Sequence, residues 1–87
     1  VRGGEIDIIA KNKELVVFVE VKTRAHQLFA LSEVVTPTKQ KKIIFAAHHY
    51  LMHHPQPNKA YRFDVALVQG ANQNITYLPH AFTSCKE

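Results

Sequence analysis

Thiol chemistry is almost absent from this chain of 87 residues, which holds a single cysteine, Cys85. One cysteine cannot close an internal disulfide, and that fits a reducing, cytoplasmic setting. Cys85 lies near the C-terminus with no helix N-terminus expected beside it, so it reads as an inert thiol rather than a nucleophile. Long hydrophobic runs are missing too. No stretch approaches the roughly 20 apolar residues of a membrane span, and no charged-then-apolar leader with a cleavage site is visible. No repeat, low-complexity tract or linker divides the sequence, so residues 1–87 are read as one small domain. Acidic residues are the minority: 7 Asp and Glu stand against 11 Lys and Arg, a net charge of +4. That balance favours an anionic partner.

The acids that are present are grouped. Glu5, Asp7, Glu20 and Lys22 sit in two apolar runs, Gly4 to Ala10 and Leu15 to Lys22, separated by Lys11-Asn12-Lys13-Glu14. Both runs are rich in β-branched residues and read as the strands of a hairpin. Side chains alternate along a strand, so Glu5 and Asp7 share one face, as do Glu20 and Lys22. The turn decides whether these faces coincide. A two-residue turn at Asn12-Lys13 sets Glu5 opposite Glu20 and Asp7 opposite Phe18; a four-residue loop sets Asp7 opposite Glu20. Either even-length loop gathers three carboxylates and one lysine on one face, and a three-residue loop scatters them.

Such crowding is costly. Like-charge repulsion and desolvation both work against three carboxylates whose neighbours Ile6, Ile8, Val19 and Val21 read as core. Mg²⁺ (or Mn²⁺) relieves the conflict, since hard cations take oxygen ligands and commonly use one or two carboxylates plus substrate phosphates. Lys22 then suits the cation that touches the attacking water or the phosphate. The alternative is a solvated polar face on which Lys22 merely bridges Glu20.

Asp7 followed by Glu20-Val21-Lys22 on the next strand has the form D…(D/E)xK. With it come Gly4-Glu5-Ile6-Asp7, Val19 to Arg24, Val35-Thr36-Pro37-Thr38-Lys39-Gln40, Ala46 to Leu51, Arg62-Phe63-Asp64-Val65 and Ala81-Phe82. In order and spacing these segments resemble the YraN-like family of small bacterial proteins. That family is related to Holliday junction resolvases within the restriction-endonuclease-like, or PD-(D/E)xK, nucleases. The resemblance covers nearly the whole chain and implies a nuclease-type site: Asp7 and Glu20 on the metal, Lys22 positioning or activating water, Glu5 assisting. Family members usually carry a helix ahead of the first strand, and related resolvases place another acid there. This chain begins at Val1, so the resemblance implies a missing N-terminal helix and a carboxylate that Glu5 would only partly replace. Junction-cutting relatives work as dimers, which implies a possible homodimer.

Basic charge gathers on the main helix, expected from Pro37 to His54. Thr36 suits the N-cap, Pro37 the first helical position, and Pro55 stops the run. Ile43, Ile44, Ala47, Tyr50 and Leu51 recur at helical spacing as its buried stripe. Lys39, Lys41 and Lys42 fall in the first turns, where cations oppose the helix dipole but complement a phosphate. With Arg24 they are the candidate nucleic-acid contacts; otherwise they only keep a surface helix soluble. The stretch between Arg24 and Thr36 is expected to form a loop and short helical turn crossing the sheet edge. The resemblance sets this region beside the substrate groove, which implies that Phe29 stacks on a base or sugar; packing is the commoner fate of such a residue. His49 and His53 stand one turn apart as in zinc sites, but no third ligand is obvious, and histidines also favour a helix C-terminus.

Tyr61 to Gln69 alternates as a strand with Phe63, Val65 and Leu67 on one face. A turn over Gln69 to Asn74 leads into a strand from Ile75 to Leu78. Asp64 either adds an acid beside the site or ties down Arg62 or a loop amide, the latter being favoured. The expected fold is α/β, a mixed sheet with a β-β-α-β-β core packed on one main helix, and the resemblance implies that it is restriction-endonuclease-like. The expected function is a Mg²⁺-dependent endonuclease that binds nucleic acid, DNA foremost, without a membrane partner. The rivals are a non-catalytic nucleic-acid-binding module and a protein-interaction domain that retain the same fold.

Overall fold

The computed structural model describes residues 6–24, 35–70 and 74–83. The first hairpin joins β1 (Ile8–Lys11) antiparallel to β2 (Leu15–Arg24). Its turn is built by Asn12, whose Oδ1 accepts the N–H groups of Glu14 at 2.8 Å and Leu15 at 2.9 Å. An Asx side chain satisfying two backbone donors in this way makes a turn without glycine. The pair Lys11↔Val16 flanks it, so four residues separate the last partners and the longer even-length loop is the one formed. β2 runs two residues beyond the expected Lys22.

Register also corrects one expectation about the core. Ile8 pairs with Val19 and is 49% exposed, so it is not a core residue. Ile9, one position on, shares the face of Phe18 and packs against the core, as does Ile6. The buried stripe of β2 is therefore Val16 and Phe18, although Val19 is also buried on the opposite face.

Helix α1 (Pro37–His53) begins where capping chemistry places it. Thr36 Oγ1 accepts the Lys39 N–H at 3.3 Å, and Pro37 fills the first position, where a missing N–H costs nothing. His54, expected as its last residue, is instead the C-cap, its N–H bonded to the Tyr50 carbonyl at 2.8 Å. Ile43, Ala46 and Ala47 are buried, and Ile44, Tyr50 and Leu51 pack at the margin of the core. β3 (Ala60–Gln69) returns parallel to β2 in ten consecutive pairs, and β4 (Asn74–Phe82) closes the other side antiparallel, giving the order β1-β2-β3-β4. Among the described residues the result is an α/β fold with a four-stranded mixed sheet and one helix, which agrees with the expected class and element order.

β4 continues past Leu78, where Pro79 would be expected to end it. The strand passes the proline through a bulge: Val65 pairs with Leu78 while Phe63 pairs with Phe82, so one residue of β3 faces three of β4. An edge strand tolerates a residue without an N–H at such a point. His80 adopts a φ of 55°, unusual for a residue with a side chain.

Asp64, the β3 residue inside the bulge, is fully buried. It pairs with Val19 of β2, so it projects from the face opposite Glu20 and takes no part in a carboxylate cluster. Its oxygens accept Arg62 Nε and Nη2 at 2.8 Å each, the Tyr77 hydroxyl, and the His80 N–H at 2.8 Å. Burial alone would raise the Asp64 pKa. The bonds from Arg62, Tyr77 and the His80 amide outweigh it and hold the carboxyl below its ordinary value of 3.8. The ionised side chain is thus a structural anchor, as favoured for it from the sequence.

Asp64→Asn is expected to lower the melting temperature near neutral pH by on the order of 10 °C. This follows from about 1.5–3 kcal/mol for a bond to a charged group and about 4–8 °C per kcal/mol in a domain of this size. A depressed folded-state pKa contributes stability that is complete above the unfolded value and is lost as pH falls through the folded one. Melts of both proteins from neutrality into strong acid should therefore converge below the ordinary carboxylate range. A gap that stays constant with pH would exclude the ionised carboxylate as its source.

Candidate functional site

Alternation places Val16, Phe18, Glu20 and Lys22 of β2 on one face. The first two are buried beneath α1, where Phe18 meets the Tyr50 ring edge-on at 6.0 Å. Glu20 and Lys22 prolong the same row, alongside their buried β3 partners Val65 and Leu67. The site is thus the end of a core-facing stripe, where apolar residues would be the stabilising choice. Its two side chains keep only 12% (Glu20) and 16% (Lys22) exposure, and Lys22 Nζ lies 3.0 Å from Glu20 Oε2.

Asp7, immediately before β1, joins them. One step beyond Ile8↔Val19 the register sets Asp7 against Glu20. Asp7 Oδ2 accepts the Val21 N–H at 2.8 Å, so its carboxylate is fixed to the backbone between Glu20 and Lys22. The structure therefore brings together Asp7, Glu20 and Lys22. Glu5 lies outside the described residues, so the cluster seen is two carboxylates and one lysine. No group of three metal-ligating side chains converges among the described residues. A hard cation bound partly by substrate needs only one or two carboxylates, and the oxygen donors of Asp7 and Glu20 are of the kind Mg²⁺ takes.

Arg24 ends β2 opposite Gln69; its side chain is not among those described. Lys39, Lys41 and Lys42 are exposed in the first turns of α1, where no acidic residue accompanies them. Parallel pairing of β2 and β3 requires the helix to run back along the sheet, from the Lys22 end of β2 toward Ala60. The contact of Tyr50 with Phe18 and of His48 Nε2 with the Tyr61 hydroxyl at 3.3 Å agrees with that direction. The helix N-terminus and its lysines consequently lie at the same end of the sheet as Lys22. Phe29, His26 and the expected short helical turn fall outside the described residues. His49 and His53 stack at 4.4 Å, with His53 Nδ1 2.9 Å from the His49 carbonyl, a local arrangement rather than a metal pair.

Sequence reasoning did not single out the Val21 amide, which orients Asp7. No side-chain signal marks a backbone donor; only the register reveals it. The role of Pro79-His80 was also missed, although a proline within an alternating run is a recognised sign of a bulge.

A family model described as "Uncharacterised protein family UPF0102" matches residues 1–68, a span that contains Asp7, Glu20, Lys22 and all of α1. The chain belongs to this family. A UPF0102 protein of Verminephrobacter eiseniae is 48% identical over 82 residues, covering 92% of this chain and 56% of the relative. One from Nitrosomonas eutropha is 43% identical over 82 residues, covering 93% and 69%. One from Desulfosudis oleivorans is 42% identical over 80 residues, covering 91% and 65%. The chain thus spans between 56% and 69% of the length of these UPF0102 relatives. No helix among the described residues is long and apolar enough to cross a membrane.

A site placed on a core-facing stripe predicts a conflict between stability and function. The double substitution Glu20→Val with Lys22→Leu should raise unfolding stability by about 1–4 kcal/mol, the range seen when a buried ion pair is exchanged for apolar residues of similar size. Denaturant melts measure this directly. A less stable double variant would mean that the ion pair holds the fold together.

Proposed function

We propose that this domain binds DNA and hydrolyses its phosphodiester bonds with the aid of Mg²⁺ or Mn²⁺, as a restriction-endonuclease-like nuclease. The observation that carries this reading is the Glu20–Lys22 ion pair, kept partly buried on the core-facing stripe with Asp7 in register beside it. A sheet gains nothing from charges in that row, so their use is chemical rather than structural. Supporting it are the D…ExK spacing and the mixed sheet in which a helix links two parallel strands.

Asp7 and Glu20 would hold the cation, which when bound supplies Lewis-acid stabilisation of charge on the phosphoryl oxygens. Lys22 is a compact ammonium held 3.0 Å from Glu20, at a ladder position opposite Leu67 of β3. It can donate to an attacking water or to a non-bridging oxygen as negative charge develops. Val21 fixes the Asp7 carboxylate through its amide, so little reorganisation is required when a phosphate arrives. The lysines on α1 sit at the same end of the sheet and would draw the backbone of a polyanion toward an otherwise acidic site.

One observation favours a second reading. The Asp7 bond to Val21 is also a sound way to close the end of a short edge strand, so a non-catalytic nucleic-acid-binding module would keep it. Metal-dependent turnover separates the two. On a panel of linear, nicked and branched DNAs with Mg²⁺ or Mn²⁺, cleavage is expected from the wild type and not from Glu20→Ala. Lys22→Ala should lower turnover by at least about 100-fold and leave DNA affinity within a few-fold. Equal activity in these variants would exclude the site and point to a contaminating nuclease.

Binding has its own test. Every lysine that neutralises a phosphate should contribute about 0.9 to the slope of log affinity against log salt on duplex DNA. Replacing Lys39, Lys41 and Lys42 with glutamine should therefore flatten that slope measurably. An unchanged slope would return these lysines to the role of solubilising surface.

A further inference from the structure

β3 has its last β4 partner at Phe63↔Phe82. Beyond that pair, toward Lys59, the strand borders an open cleft of about 400 Å³. Its size is that of a small-ligand site. Six residues define its chemistry: Lys59, Tyr61, Arg62, Phe63, His80 and Phe82. Among the described residues that line it there is no aspartate or glutamate.

The floor is aromatic. Phe63 and Phe82 stack at 5.0 Å and 14°, and Tyr61 stands edge-on to Phe63 at 5.8 Å with 38% of the residue exposed. Two cations, Lys59 and Arg62, border the cleft at the open edge of β3, where Arg62 projects from the face opposite Tyr61 and Phe63. Arg62 donates through Nε and Nη2 to Asp64, which locks the plane of its guanidinium; with five N–H donors in all, the group keeps further donors for another acceptor. His80 is held at the bulge in a left-handed conformation, φ 55°, by the bond from its amide to Asp64. Backbone strain of this sort is retained where the surroundings over-determine it, commonly at binding sites. The buried carboxylate of Asp64 thus fixes two separate groups of one cleft, the Arg62 guanidinium and the His80 backbone. Lys59 adds a charge that Asp64 does not offset.

We propose that this cleft is a second nucleic-acid subsite that takes one nucleotide of a single strand, its base against the Tyr61 ring and its phosphate on Lys59, Arg62 and His80. A half-exposed aromatic ring beside cations is the combination by which single strands are held without sequence preference. The subsite rests on the reading of this domain as a nucleic-acid binder, but it requires neither metal nor cleavage. Arg62 pairs with Val17, three positions before Glu20, so it lies about 10 Å along the sheet from Glu20, toward the β1–β2 turn, and projects from the opposite face.

The test is titration of the isotopically labelled protein with a thymidine tetranucleotide in EDTA, followed by backbone amide shifts, with inorganic phosphate as control. Saturable shifts are expected at residues 59–63 and 80–83, with phosphate alone binding at least about tenfold more weakly. Lys59→Glu and Tyr61→Leu should each weaken the tetranucleotide by about tenfold. His80→Gly removes the imidazole while relieving the positive φ, so it should weaken binding without lowering the melting temperature. Shifts confined to the region of Lys22 and Lys39, or phosphate binding as tightly as the tetranucleotide, would overturn the subsite. A protein that cleaves DNA yet shows no shifts at the cleft overturns the subsite alone. One that fills the cleft yet never cleaves overturns the nuclease alone.

Discussion

The parallel ladder between β2 and β3 is the constraint on which everything else rests. Its ten pairs, from Leu15↔Ala60 to Arg24↔Gln69, hold together strands that are distant in the chain. Parallel partners cannot be joined by a tight turn, so the intervening chain must travel back along the sheet. That return is α1, and its direction follows from the ladder alone. The same register stacks Phe18 on Phe63 at 5.6 Å and sets Glu20 and Lys22 beside Val65 and Leu67. Core, charged pair and helix lysines are consequences of one alignment, and a slip by a single residue would turn all of β2 over.

Two faces of that sheet use carboxylates in opposite ways. Asp64 has its lone pairs committed to four donors, and it tunes its partners in return. Burial first, and then the bond to Asp64, push the Tyr77 hydroxyl above its usual range, which keeps it a donor. The same carboxylate raises the Arg62 pKa against the smaller effect of desolvation. A carboxylate so thoroughly engaged has no capacity left for a substrate. Among the described residues Glu20 has one cationic neighbour, Lys22, and Asp7 spends Oδ2 on one amide. Acids of the same chemistry separate into anchor and candidate reagent through their surroundings.

Much of this was legible in the chain. The hairpin, the helix with its Thr36 cap and the β3 alternation each follow from local rules, because capping, β-branching and period are local properties. The grouping of Asp7, Glu20 and Lys22 was legible once an even-length loop was assumed, and Asn12 makes the four-residue form. Three things were not. Ile8 looks like core because it is apolar, but which face of a short edge strand is covered depends on what packs above it. Continuation of β4 beyond Pro79 depends on the Asp64 network, whose donors come from β3, β4 and the bulge between them. The duty of the Val21 amide depends on register, to which side-chain composition is blind.

The two outer strands of the sheet are guarded in different ways. Among the described residues β1 runs for four, a short template for a neighbour to extend. β4 is longer and carries Ile75 and Tyr77 exposed, the features from which intermolecular β-growth begins. Pro79 and the bulge break it into two short pieces, and no unbroken row of donors and acceptors spans the strand. The irregularity that organises the far end of the sheet also serves as a safeguard against aggregation, so that a crowded cell meets an edge on which fibrils do not readily start.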